Sequence, residues 1–551
     1  MARNILKSSV QNASFSIVFQ ILFRCITFVL NAFIIRTVGQ EVLGIMNVRL
    51  LLLESTILFL SKEPLLKACL TNTKSHNWAQ VINLIWFSVP ISALLGMVLV
   101  YIWVNLLSPT DDIYMNQYKL GCYAIALSCI VEQITESAVL VAQSFCFVKL
   151  KIIFETTYII SRTIIFVYLV VNYPNSAINA FSIAQIMSAV MLCCLYYGFF
   201  AWYIPSLLKF KEKGDEIERH WLFSDMDDFP FRSILNFFPG FMFNEDGKID
   251  KNLLVLTVSF VKQSVIKQIL TEGERYVMTI SPVLSFSQQS MYDIVNNLGS
   301  LAARFIFRPI EESAYFYFTQ MIQRDQALSK QNQINISESA EVLRHLCKIV
   351  TSIGLVVVTF GQSYSYTLLY LYGGQKLVES TLPTILLQCH CIAIVLLAVN
   401  GVTEAYAFAT MTNKQLDRYN YLLVIFSILF LLISYVLTNI LGPVGFILAN
   451  CLNMLARIVH SIYFIYNRYK GSKHNPLKGL TPDVSFVFIL IGSGFVTKFS
   501  ERHLLPSSIV LHLFIGVIFL AASLAVWAYN NRDILKIGYD RYKRRASMKT
   551  D

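Results

Sequence analysis

The sequence predicts an all-α polytopic membrane protein with about fourteen transmembrane helices, built as two six-helix lobes in parallel repeat plus two C-terminal helices. Three observations predict it. Apolar residues make up 55% of the 551 positions and charged ones only 14%, with a mean hydropathy of +0.56, outside the range of soluble domains. Apolar stretches of about 20 residues, long enough to cross a bilayer, follow one another along the chain. The two halves also repeat at an offset of about 249 residues: Gln20-Ile-Leu22 returns as Gln268-Ile-Leu270, Ile45-Met-Asn47 as Ile294-Val-Asn296, and Lys62-Glu63 stands opposite Glu311-Glu312.

The first stretch, 12–35, is too long for a cleaved signal peptide and is interrupted by Gln20, Arg24 and Asn31, so it is read as a retained helix with one polar stripe. Spans follow at 42–62, 80–107, 118–145, 151–172 and 178–204, completing an N-lobe over 1–204. The longest loop, 205–252, carries Lys209-Phe-Lys-Glu-Lys213 and the aromatic tracts Phe229-Pro-Phe231 and Phe237-Phe-Pro-Gly240. It reads equally as a flexible linker or as a segment lying on the membrane surface. The C-lobe, 253–470, begins with a helix over 253–280 whose two faces differ. Ser264, Lys267, Gln268, Thr271, Glu272, Glu274 and Arg275 fall on one half of its circumference, and Val265, Ile266, Ile269, Gly273, Tyr276 and Val277 on the other. The next span, 291–318, repeats this with Asp293, Asn297, Ser300, Arg304, Arg308 and Glu311. Spans at 340–362, 382–411, 418–439 and 442–466 complete the lobe. Residues 471–551 hold spans at 482–499 and 507–529 and a basic tail, Arg541-Tyr-Lys-Arg-Arg545.

The net charge of +11 would suggest nucleic acid in a soluble protein, but here the basic residues alternate by loop. One side collects Lys62, Lys67, Lys74, Lys149, Lys151, Lys209, Lys211, Lys213, Lys414, Arg418, Arg468, Lys470, Lys473 and the tail. The other holds Arg36, Lys119, Lys376, Lys498 and Arg502. The positive-inside rule then places both termini and the 205–252 loop in the cytosol. The eleven cysteines lie mostly in spans without zinc-type spacing, so no metal is expected. No phosphate-binding glycine loop, His/Glu metal pair or nucleophile beside a base points to an enzyme, and no cofactor is implied.

Charges at membrane depth cost about 2.5–3.5 kcal/mol each on insertion scales, so such residues pair or line a wet cavity. Glu132 and Glu136 with Glu155 and Arg162 read as interhelical clamps. Glu272 and Arg275 stand nearly one turn apart and read equally as a neutral pair or as cavity residues. Arg24, Arg304 and Arg457 sit among amides on their own helices and read as cavity residues. Asn400, Thr403 and Glu404 form one stripe, and Asn450, Asn453, Arg457 and His460 another, with His460 read as a packed histidine.

The runs Gln20-Ile-Leu-Phe-Arg-Cys-Ile-Thr-Phe-Val-Leu-Asn-Ala-Phe-Ile-Ile-Arg36, Lys267-Gln-Ile-Leu-Thr-Glu-Gly-Glu-Arg-Tyr276, Tyr292-Asp-Ile-Val-Asn-Asn-Leu-Gly-Ser300, Arg308-Pro-Ile-Glu-Glu312, Asn400-Gly-Val-Thr-Glu404 and Gly445-Phe-Ile-Leu-Ala-Asn450 resemble the Rft-type family of dolichol-linked oligosaccharide translocation proteins. That family is similar to the multidrug, oligosaccharidyl-lipid and polysaccharide flippase superfamily. The resemblance implies residence in the endoplasmic reticulum membrane and carriage of the pentamannosyl dolichol diphosphate intermediate of N-glycosylation from the cytosolic to the lumenal leaflet. Under it, the substrate-binding candidates are Arg24, Asn31, Arg36, Glu272, Arg275, Asn297, Arg304, Arg308, Glu404, Asn450, Asn453 and Arg457. Arginines would serve the diphosphate and amides the sugar hydroxyls. Lys62 is a weaker candidate, where the family pattern leads one to expect arginine. Two other readings stand beside this one: a non-transporting accessory that binds the glycolipid or the proteins of its pathway, and a cation-coupled exporter using Glu272, Asp293 or Glu404.

Overall fold

A computed structural model describes residues 26, 28–70, 77–107, 114–145, 147–212, 229–242, 249–280, 284–324, 326, 328–533 and 535–536. Its regular structure is helical, with no strand among the described residues. The first unit, Met1–Ser290, contains α1 (Phe28–Thr37), α2 (Gln40–Cys69), α3 (Trp78–Asn105), α4 (Met115–Ile134 continued by Glu136–Ser144), α5 (Val148–Asn172), α6 (Ala177–Glu212) and α7 (Lys251–Ile280). A further helix, α8 (Phe286–Ala302, continued by Ala303–Phe307 and Arg308–Met321), carries the boundary, and the second unit, Met291–Asp551, holds the rest of it. There follow α9 (Gln333–Gly373), α10 (Leu382–Thr410), α11 (Asn413–Leu441), α12 (Val444–Tyr469), α13 (Val484–His503) and α14 (Ile509–Asn530).

Among the described residues ten helices are long and apolar enough to cross a membrane, and twelve if the bent α4 and α7 each count as one span. The chain is therefore a multi-pass membrane protein. The sequence-derived spans at 12–35 and 291–318 are the two outside that set. Most of the first lies outside the described residues, and α8 carries Arg304, Arg308, Glu311 and Glu312 inside its apolar run. Helices α2 and α8 are each interrupted by a π-helical turn, Ile45–Leu50 and Ala303–Phe307 respectively.

Two expectations change. The loop expected from Pro205 begins later, because α6 runs through Pro205 to Glu212. A proline removes one helical N–H but leaves the flanking bonds, and Ser206 Oγ donates to the Trp202 carbonyl beside it. Residues 229–242 are neither a free linker nor a purely surface segment. Phe229, Phe231 and Phe237 are buried against Trp78, Phe145, Phe200 and Tyr203 of the first unit. The Trp86 indole donates to the Phe237 carbonyl at 2.7 Å, and the Gly240 amide donates to Asn83 Oδ1 at 2.9 Å. Gly240 turns the strap away at φ +81°, a conformation glycine adopts without a Cβ clash.

In α7 the two expected faces are only partly separated: Lys267 and Thr271 of the polar face are exposed, and Gly273 of the apolar face is buried. Ser264 and Gln268 are buried on the face that packs along α2, while Val265, Ile266 and Ile269 are exposed. Polar side chains of this helix are satisfied by protein, Tyr276 of the expected apolar face among them: Thr56 Oγ1 and Tyr276 Oη share a hydrogen bond of 2.7 Å, Gln268 donates to Tyr276 Oη at 3.4 Å, and Lys267 lies 3.5 Å from Glu63.

The second unit is cored by Phe307, Phe318, Leu343, Val402, Tyr406 and Tyr469, where α8, α9, α10 and α12 meet. Helices α13 and α14 dock on α9 by a polar zipper of the kind that joins helices in lipid. Tyr364 stacks on His512 at 4.2 Å and donates to its carbonyl at 2.7 Å, Ser363 meets Thr497 at 3.1 Å, and the Trp527 indole donates to Ser352 at 2.9 Å.

Candidate functional site

In each unit the buried polar residues gather into a network drawn from several helices. In the second unit the centre is Glu404 on α10, which is 6% exposed. Asn400, one turn earlier, donates Nδ2–H to Glu404 Oε2 at 3.1 Å, and Tyr419 of α11 donates to Oε1 at 2.7 Å. Arg457 of α12 grips the same carboxylate with two N–H groups, Nε reaching Oε1 at 3.2 Å and Nη2 reaching Oε2. This is the planar fork for which arginine is suited. The helix of Arg457 supplies only amides and His460, so its counter-charge comes from another helix, which own-face periodicity does not show. His460 stacks on the Tyr419 ring at 4.3 Å, as a packed histidine would. Asn453 and Asn400 each keep a buried side-chain oxygen without a hydrogen-bond partner. Gly401 completes the arrangement: a Cβ there would collide with the Glu311 carboxylate, so glycine lets a side chain of α8 lie against α10.

The first unit has a comparable network. Glu54 of α2 lies 3.5 Å from Arg162 of α5 and accepts from Gln185 of α6 at 2.7 Å. Gln185 in turn accepts from Arg162 at 3.2 Å and donates to Tyr158 Oη at 3.1 Å, which satisfies both ends of its amide. One stretch along α2, Lys62 Nζ stands 3.5 Å from both Glu132 and Glu136 of α4. The clamps expected from the sequence therefore form with other partners. Arg162 pairs with Glu54, Glu132 and Glu136 share Lys62, and Glu155 is neutralised by Lys151 within α5.

Of the remaining candidates, Arg24 lies outside the described residues, as does the side chain of Arg304. Asn31 and Arg36 are exposed on α1. Glu272 and Arg275 form an ion pair of 3.2 Å, Asn297 donates to Asp293 at 3.1 Å, and Arg308 pairs with Glu312 at 2.9 Å in an exposed position. Asn450, Asn453 and Arg457 share one face of α12. The sequence reading passed over Glu54, Tyr158, Gln185 and Tyr419. Glu54 was findable, as the single acid in Leu50-Leu-Leu-Leu-Glu54. The other three are ordinary polar residues whose role depends on which helix lies opposite. It also passed over Arg49, which donates to the Leu107 carbonyl at 2.6 Å and holds the end of α3.

Helices of this number and apolarity define a multi-pass membrane protein. The fold is similar to that of the lipid II flippase MurJ in its inward closed conformation, with a TM-score of 0.53 at 12% identity over 96% of this chain and 100% of that one. It is also similar to an inward-facing multidrug resistance MATE family transporter of the MOP superfamily, with a TM-score of 0.52 at 11% identity over 81% of this chain and 95% of that one. The chain belongs to the Rft protein family, whose model matches residues 8–541. It is 52% identical to the Man(5)GlcNAc(2)-PP-dolichol translocation protein RFT1 of Drosophila melanogaster, with both chains covered in full. It is 39% identical to the protein of that name from Mus musculus, over 95% of this chain and 94% of that one.

Proposed function

We propose that this protein translocates the pentamannosyl dolichol-diphosphate oligosaccharide from the cytosolic to the lumenal leaflet of the endoplasmic reticulum membrane, supplying protein N-glycosylation. The observation that carries this reading is the full-length 52% identity to a relative named for translocation of that glycolipid. The chemistry agrees: arginine forks suit diphosphate oxygens and amides suit sugar hydroxyls, while the polyprenyl tail stays in lipid. The protein is thus a carrier and not an enzyme. Its binding residues are Arg24, Arg36, Arg304 and Arg457 for the diphosphate and Asn31, Asn297, Asn450 and Asn453 for the glycan. Because Glu404 already holds Arg457, the diphosphate would compete with that carboxylate. The lobes in this reading are α1–α6 and α7–α12 with α13 and α14 appended, a division supported by the π-helical turns shared by α2 and α8.

Reconstitution of purified protein in liposomes with the dolichol-linked glycan tests the reading, with leaflet transfer and binding scored separately. Transfer is expected, and it is expected to be lost on charge reversal at Arg24. Binding without transfer would make the protein an accessory of the pathway, and neither activity in folded protein would remove the glycolipid.

Both termini and the segment 213–250 face the cytosol in this reading, from the alternation of basic loops. Cysteines placed at Lys213 and Arg541 are expected to react with an impermeant thiol reagent in sealed, right-side-out microsomes. Protection of both would reverse the orientation, and protection of Lys213 alone would overturn the span count.

A further inference from the structure

In the ion network of the first unit carboxylates outnumber cations. Glu54 and Lys62 on α2, Glu132 and Glu136 on α4, and Arg162 on α5 make three acids and two bases within one connected network. The other groups that face it do not restore the balance. Glu155 of α5 is already paired with Lys151, Tyr158 of α5 hydrogen-bonds Gln185, and Tyr196 of α6 stands within electrostatic reach of Glu136 and Glu155. Glu63, next to Lys62, turns the other way to Lys67 and to Lys267 of α7.

The excess falls at a particular place. Helix α4 bends by 42° at Thr135, and Glu132 and Glu136 stand on either side of the bend around a single ammonium. The Glu136 side chain is 2% exposed, and its Oε1 has no hydrogen-bond partner. A bare carboxylate oxygen at such depth is costly unless a donor, a cation or a proton satisfies it. A metal cation is a poor neutraliser here, since Lys62 Nζ already lies 3.5 Å from both carboxylates and would repel it. Among the described residues no group of three His, Cys, Asp or Glu side chains could hold a metal.

We infer that the bend of α4 is a proton-binding site, in which Glu132 and Glu136 share one proton beside Lys62. Uptake forms one O–H bond on a carboxylate oxygen with a proton taken from water and removes one negative charge, and release reverses this. With the proton bound, the network carries two negative and two positive charges and is balanced. With the proton released, the two carboxylates compete for one ammonium across the bend. The site does not depend on the identity of the cargo.

Infrared spectra of the purified full chain in lipid nanodiscs, recorded between mildly acidic and mildly alkaline pH in water and in heavy water, read protonated carboxyl groups directly. At neutral pH the wild type is expected to show a protonated-carboxyl band that shifts in heavy water, and Glu136→Gln or Glu132→Gln is expected to lose one carboxyl's share of it. Lys62→Met leaves both acids and removes a cation, so it is expected to gain one share. Glu136→Asp keeps the acid and is expected to keep the intensity at a shifted frequency, which preserves the test if a glutamine variant fails to fold. A wild-type spectrum without the band, a band unchanged in Glu132→Gln, Glu136→Gln and Lys62→Met, or a band abolished by sodium at constant pH would each overturn the inference.

Discussion

Replacing Arg457 by methionine is expected to destabilise the protein by about 3 kcal/mol, the low end of the range for breaking one partner of a buried ion pair. The physical source is Glu404 more than Arg457. Arg457 keeps part of its side chain exposed, whereas Glu404 is nearly fully buried and would be left with only Asn400 and Tyr419 as donors. A neutral isostere at Glu404 should therefore recover most of the loss, so Glu404→Gln combined with Arg457→Met is expected to lie within about 1 kcal/mol of wild type. Arg457→Lys keeps the charge but loses the fork and should fall between them. Thermal denaturation in detergent and cellular abundance measure this, and a several-fold drop in abundance is expected for the single variant. A double variant as unstable as Arg457→Met would show that the pair is not the source. Under the glycolipid reading the double variant also separates folding from function, because it is stable but lacks the guanidinium.

This pair shows how much of the site was legible in the sequence and where legibility stopped. Arg457, Asn453 and Asn450 lie at three- and four-residue spacing, so their common face follows from the helical period alone. Glu404 was equally visible on its own stripe. That the two stripes meet is a statement about packing of α10 on α12, and periodicity carries no information on which helix lies opposite. The same limit explains Lys62, which looked like a weakened phosphate ligand and is found between two glutamates. The membrane class and most span positions were legible because they depend on local composition, which the bilayer reads residue by residue. Helix α7 lies between these cases. Its polar stripe was evident, but Tyr276, expected on the apolar half, is where Gln268 and Thr56 of α2 converge by hydrogen bonds.

The strap was the least legible element, because Phe229-Pro-Phe231 and Phe237-Phe-Pro-Gly240 follow neither the helical nor the strand period. Its aromatic density was the available signal, since a purely flexible linker has no use for five phenylalanines in a short tract. Truncation of Phe237 to alanine is expected to cost about 3–5 kcal/mol, the range for removing a buried aromatic ring. Phe237 is fully buried, stacks on Phe231 with ring centroids 4.9 Å apart and meets Phe200 at 4.9 Å. Each aromatic pair adds about 0.5–1.5 kcal/mol to area burial, so neither neighbour can replace the ring by a small shift. Phe231→Ala should behave alike, because its ring is sandwiched among Trp78, Phe229 and Phe237. Phe241, on the same strap, is 60% exposed, and Phe241→Ala is expected to stay within about 0.5 kcal/mol of wild type. The contrast is read by thermal denaturation of the purified variants and by protease sensitivity of the 213–250 segment, which should rise in the first two only. Equal behaviour of Phe237→Ala and Phe241→Ala would mean that the strap does not dock on Trp78, Phe200 and Tyr203.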